Sequence, residues 1–264
     1  MFGIVFQAVT ITIIAPIYLT IQILLSPSTF DPSALLADPS DLALLPLSSV
    51  VSYMIPTVGL CLPLLGAISG DAKLLAVALW QPFPLYHTAI RGLSQLFHGS
   101  RRGKASNKAH INPRECSEAL SRANKFICFL TIGVHVTVMG FILASAATDF
   151  GPSVSGHHIL ALTSLTNPPT LAMLEPPVSV MDSREIVVSF LRWDVYCTCA
   201  SMLVWSVYQL RAVRGADTLP TISVKALIYA LLGGPIFPSL MLLWERDEMA
   251  LKSLELVGGH KKQA

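Results

Sequence analysis

From about residue 185 to 210 the chain is apolar for longer than the roughly 20 helical residues that cross a bilayer. That run restricts the fold severely. In hydrocarbon every backbone polar group must find its partner within the protein, so a span has to be a helix or part of a closed barrel. Asp194 is the only carboxylate set deep inside any of the long hydrophobic segments. A carboxylate at that depth is costly and usually faces a bundle interior or a water-filled cavity, which makes it a candidate functional group. At helical spacing it continues into Thr198, Ser201, Trp205 and Tyr208, with Cys197 beside them, as one polar and aromatic stripe.

Five more segments share this apolar character, giving six spans at about 3–25, 42–68, 74–97, 126–147, 185–210 and 222–244. Charged residues make up only 13% of the chain, about half of what a soluble domain carries. The expected fold is all-α: a multi-pass transmembrane helix bundle forming a single integral-membrane domain over 1–264. The first segment has no basic leader and is too long for the core of a cleavable signal, so it reads as a retained span. Its Gln7, Ile11, Ile14, Tyr18 and Gln22 form a stripe that faces the bundle, unless Tyr18 and Gln22 are interface anchors. Prolines interrupt segments two, three and six (Pro56, Pro63, Pro82, Pro84, Pro235 and Pro238), and segments four and five have none. A proline inside a helix removes a backbone hydrogen bond and kinks it. Two straight helices facing three kinked ones would leave room for an interior pocket.

Charge sets the expected orientation. Residues 98–125 read as a basic loop with Arg101, Arg102, Lys104, Lys108, Arg114, Arg122 and Lys125, which belongs in the cytoplasm. No aromatic residues interleave with these charges, so nucleic acid is not an expected partner. Six spans then put both ends and the loop 148–183 on the lumenal side, and the acidic loop 26–41 in the cytoplasm, where the charge rule does not favour it. A seventh crossing built from 155–174 would turn the C-terminal tail to the cytoplasm, and both topologies stay open. The piece HHILALTSL is too short to span and reads as an interfacial or re-entrant lid, while its adjacent His157 and His158 point to different sides of a helix and support a metal site only weakly. The five cysteines form no C-x-x-C pair, and four lie in apolar segments as expected buried thiols. The expected location is the endoplasmic reticulum membrane.

No nucleotide loop, nucleophile elbow, haem motif, HExxH or DDxxD-type motif is present, so neither a cofactor nor a metal is expected. What remains is an intramembrane acid and a set of aromatics. Desolvation disfavours the charged form of a carboxylic acid, and a neutral acid can donate a proton. Aromatic faces stabilise a nearby cation by about 0.5–2 kcal/mol each. Asp194 is therefore the candidate general acid, with Tyr53, Trp80 and Trp193 lining a pocket and His135 or His87 as a further cavity group. Glu245 and Asp247 are second acidic candidates, a base or an orienting partner, unless WERDEM is a helix-end salt-bridge cluster at the membrane edge. Asp194 has a plainer reading too, as the ion-pair partner of Arg192, Arg91 or Lys225, although Arg192 points to another face. Arg91 reads as a snorkelling side chain near a segment end.

These residues carry a family resemblance. APIYLTIQILLSPS (15–28), LPLSSVVSYMIPTVGLCLP (45–63), LWQPFPLY (79–86), FLRWDVYCTCASMLVW (190–205) and LLWERDEMAL (242–251) resemble, in this order, the fungal integral-membrane meroterpenoid cyclases of the ascochlorin and ascofuranone type. The resemblance implies cyclisation of a farnesyl-type chain on an aromatic or polyketide-derived head, triggered by protonating an epoxide or alkene, without metal or nucleotide. It also implies pathway partners such as a prenyltransferase and an epoxidase. The alternative from the residues alone is a proton-coupled exporter of a lipophilic metabolite, with Asp194 and His135 or His87 as its relay. No internal repeat supports that alternative.

Overall fold

The computed structural model describes residues 11–25, 31–61, 70–99, 112–147, 180–215 and 219–260. These are helical almost throughout, and no β-strand occurs among them. The chain groups into two compact units, one from Met1–Val9, Thr29–Ile127 and Trp244–Ala264, the other from Thr10–Ser28 and Cys128–Leu243.

In the first unit, Asp38 caps helix α2 (Pro39–Ser49) by accepting from the Ser40 amide, and Pro39 occupies the first turn, where its missing N–H costs nothing. Here α1 denotes Ile11–Leu25 of the second unit. A π-turn at Val50–Met54 carries α2 into α3 (Ile55–Cys61). The Ser52 hydroxyl donates to the Ser48 carbonyl within that turn, and Thr57 donates to the Tyr53 carbonyl at 2.7 Å. The third apolar segment is two helices, α4 (Gly70–Trp80) and α5 (Phe83–Gly99), parted by a turn at Gln81 and Pro82. The π-turn packs on α5, α2 packs on α5, and α3 packs on α4. Arg91 on α5 pairs with Asp41 on α2 at 3.8 Å, so it meets a carboxylate as well as any headgroup.

Helix α6 (Pro113–Ala147) corrects the basic loop read over 98–125, because its last part is already helical. Asn112 accepts the Arg114 amide at 3.1 Å, Pro113 opens the helix, and Cys116, Ala119 and Ala123 form a buried strip beneath the charged face. At 1.5 Å per residue the 35 residues of α6 reach about 52 Å, well beyond a hydrocarbon core of about 30 Å. Helix α7 (Val180–Arg214) is equally long and also unbroken. Its start claims the last part of the loop expected over 148–183. His157, His158 and the possible seventh crossing lie outside the described residues, as does Gln7.

The sixth segment divides as its Gly-Gly-Pro suggests, into α8 (Leu219–Gly233) and α9 (Phe237–His260). Gly234, at φ +83°, closes α8 by donating its N–H to the Ala230 carbonyl at 2.9 Å. Pro235 follows and cannot donate to the Leu231 carbonyl. Gly215, at φ +93°, ends α7 the same way on the Arg211 carbonyl at 2.8 Å. In the second unit α1 packs along α7, and Ala15, Tyr18, Leu19 and Gln22 share the protected side of α1.

Among the described residues three helical stretches are long and apolar enough to cross a membrane: Pro39–Leu60, Pro113–Ala144 and Ile186–Arg214. Ile13–Leu25 and Leu219–Gly233 are apolar but shorter. Large side chains such as Phe129, Val204 and Leu231 stand outward at 82%, 68% and 73% exposure, an outer surface suited to lipid rather than water. The fold is an all-α helix bundle of membrane type.

Candidate functional site

Asp194 lies in the N-terminal half of α7 and is half-buried. Its stripe behaves differently from a relay. Thr198 donates to the backbone carbonyl of Asp194 at 2.7 Å, and Ser201 donates to that of Cys197 at 2.7 Å. Each hydroxyl has one proton, so both are committed to their own helix, a common arrangement for Ser and Thr inside helices. Further along the stripe the buried indole N–H of Trp205 has no hydrogen-bond partner. Trp193 packs edge-on against Tyr196, with ring centres 5.6 Å apart and planes at 85°.

Tyr196 leads to a cavity of about 480 Å³ in the same unit. Its α7 wall is Tyr196, Cys199, Ala200, Leu203 and Val207, and its α8 wall is Ser223, Ala226, Leu227 and Ala230. Pro235 and Pro238, at the break between α8 and α9, complete it. Asp194 sits about 160° around the α7 axis from Tyr196, so its side chain leaves the helix on another face from the cavity wall. Sequence reasoning followed the polar face of this helix and passed over the apolar one. The signal was present as small residues on two consecutive helices, the adjacent Cys199 and Ala200 on α7 and Ala226 and Ala230 one turn apart on α8.

His135, on α6, packs against Gly234. A Cβ on that glycine would lie 2.9 Å from the imidazole Nδ1, so only glycine fits there. His135 is thereby held next to Pro235, a residue of the cavity's break end.

The remaining candidates belong to the first unit. Tyr53 and Trp80 come together, with ring centres 6.3 Å apart, and Phe83 joins them at 5.2 Å from Tyr53 and 5.7 Å from Trp80. The Trp80 indole donates to the Thr57 hydroxyl at 3.1 Å, which ties the cluster to the turn carrying Tyr53. Such π-turns within α-helices occur often at functional positions. Glu245 and Asp247 lie within α9, more than two turns from either end, rather than at a helix terminus. Arg246 donates to the Asp247 carboxylate through Nε at 2.7 Å and also through Nη2. Burial pushes the Asp247 carboxyl above the usual carboxylate range, and the neighbouring Arg246 pulls it back only in part.

The fold and site thus define an all-α protein of membrane type with an open, apolar cavity on α7 and α8 and a half-buried acid on another face of α7. The chain belongs to the CtvD domain family, which matches residues 1–251. It is 26% identical over 268 residues to the terpene cyclase ascI of Acremonium egyptiacum, covering 98% of this chain and 65% of that protein. It is 27% identical over 257 residues to the terpene cyclase ctvD of Aspergillus terreus, covering 94% and 67%. It is 28% identical over 220 residues to the terpene cyclase penA of Penicillium crustosum, covering 81% and 55%. The chain therefore spans between about half and two thirds of the length of these curated relatives. No solved structure matches it.

Proposed function

We propose that this chain is a membrane-embedded terpene cyclase of meroterpenoid biosynthesis. The observation that carries the reading is the family match over nearly the whole chain, with relatives named as terpene cyclases. The substrate is a farnesyl-type chain on an aromatic or polyketide-derived head, supplied by a prenyltransferase and, where an epoxide is used, an epoxidase. The protein crosses the endoplasmic reticulum membrane several times.

The chemistry needs an acid, a dry apolar space and faces that tolerate a cation. Asp194 is the general acid. Its proton goes to the epoxide oxygen or terminal alkene, the C–O or π bond opens, and a tertiary carbocation forms. Chain alkenes attack in turn, and loss of a proton ends the sequence, so the reaction is a net isomerisation. In the same unit Trp193 supplies an aromatic face and His135 a further polar group; the Tyr53–Trp80 pair, Glu245 and Asp247 belong to the other unit and are separate candidates for aromatic and acid–base parts. A general acid of this kind contributes about 10²–10⁴-fold to rate. Membranes bearing Asp194→Asn, given a farnesylated epoxide, should form product at least about 10²-fold more slowly than wild type while holding the same amount of protein. Wild-type turnover by the Asn variant would rule out Asp194 as the acid.

A further inference from the structure

We propose that the cavity between α7 and α8 is the hydrocarbon site of this enzyme, and that it takes the prenyl chain with its reacting end at the α8–α9 break. This inference rests on the cyclase reading and adds the site and direction of binding.

The cavity has the dimensions of a ligand site. Its α7 wall, from Tyr196 to Val207, is about 16 Å long at helical rise, and its volume of about 480 Å³ lies within the range of small-molecule pockets. Its lining is aliphatic or small apart from Tyr196 and Ser223, and includes no charged side chain. The Ser223 hydroxyl already donates to the Leu219 carbonyl at 3.0 Å. A polar ligand would surrender its hydration there for little return, whereas a hydrocarbon chain is favoured.

The two ends differ chemically, and this sets the direction. At one end stand Tyr196, Pro235 and Pro238. Tyr196 is braced by Trp193, whereas Asp194, about 3 Å along the helix axis from Tyr196, leaves α7 on another face and is not part of the lining. His135 rests on Gly234, immediately before Pro235. The C-terminal pole of α8, the negative end of its dipole, is also here, and Pro235 cannot donate to the Leu231 carbonyl. The imidazole and the negative pole together suit the end where positive charge develops. At the other end stand Val207 and Ser223, and one turn further on the same face of α7 comes Arg211. A guanidinium suits an oxygen-bearing head group, not a carbocation.

The test uses membranes containing the full chain and a farnesylated phenol, with a diazirine placed at the terminal carbons of the chain for one arm. On illumination the diazirine should modify residues within a turn of Tyr196 and in 230–238, and modification around Val207 and Ser223 instead would overturn the direction. Without the diazirine, the farnesylated phenol should slow methyl methanethiosulfonate labelling of Cys199, which lines the cavity, several-fold, while leaving Cys197 unchanged. Unchanged labelling of Cys199, or equal slowing by palmitate or phospholipid, would overturn the site. Protection of Cys199 in wild-type membranes that form no cyclised product would support the hydrocarbon site while counting against the cyclase reading. Ala226→Leu, which fills the cavity, should raise KM several-fold and weaken the protection. Wild-type values for both would count against the proposal.

Discussion

Arg246 and Asp247 show how much one buried pair constrains a helix. Their side chains are only 11% and 13% exposed, so each charge is largely withdrawn from water and has the other beside it. Removing one partner of such a pair typically costs about 3–5 kcal/mol, because the other stays buried without it. Asp247→Ala should therefore lower the unfolding temperature of the detergent-solubilised protein markedly, and the double change Arg246→Leu with Asp247→Leu should recover most of the loss. Burial raises the Asp247 carboxyl on folding. Its contribution to stability is thus present at acid pH and lost as pH rises through the raised value. Asp247→Asn should flatten that part of the stability profile. A stability profile of Asp247→Asn identical to wild type would mean that the carboxyl does not titrate differently on folding. The pair was legible in WERDEM as a salt-bridge cluster, but its place within a long helix was not, since the charges alone suggested an end.

At the scale of elements, glycine at positive φ closes both α7 and α8, and the two positions separate backbone cost from packing cost. Gly215→Ala meets nothing within 4 Å and should cost only the left-handed penalty of roughly 1–2 kcal/mol. Gly234→Ala pays that and also presses on His135, so it should be the more destabilising of the two and should disturb the imidazole. Equal losses for the two variants in thermal unfolding would show that His135 does not rest on Gly234. The breaks fall where kinks were expected, at Pro82, Gly234 and Pro235, although Pro16 and Pro46 lie within continuous helices. The unbroken runs of α6 and α7 were legible for the converse reason. The start of α6 was hidden by Arg114, Glu118, Arg122 and Lys125, whose charges mask a buried strip of small residues. Asn112-Pro113, a helix-opening pair, was the available signal. The cavity was hidden because an apolar lining in an apolar chain makes no contrast, whereas Asp194 stood out against its surroundings.

At the scale of the molecule, the outward apolar side chains suit a hydrocarbon solvent. The protein should stay with membranes through alkaline carbonate extraction, and its release into the soluble fraction would contradict a spanning fold. A glycosylation sequon inserted between Lys104 and Lys108 should stay unmodified in endoplasmic reticulum membranes if the basic segment faces the cytoplasm; efficient glycosylation there would invert the orientation. The two compact units are threaded through one another in sequence. Helix α6 gives its residues up to Ile127 to the first unit and those from Cys128 to the second, and α9 passes from the second back to the first at Trp244. For a chain that enters the membrane as it leaves the ribosome, order of synthesis is therefore not order of completion. The first unit to begin is the last to finish: it stays open until Trp244 and the residues after it have emerged, and a ribosome halted before that point leaves it without its closing helix.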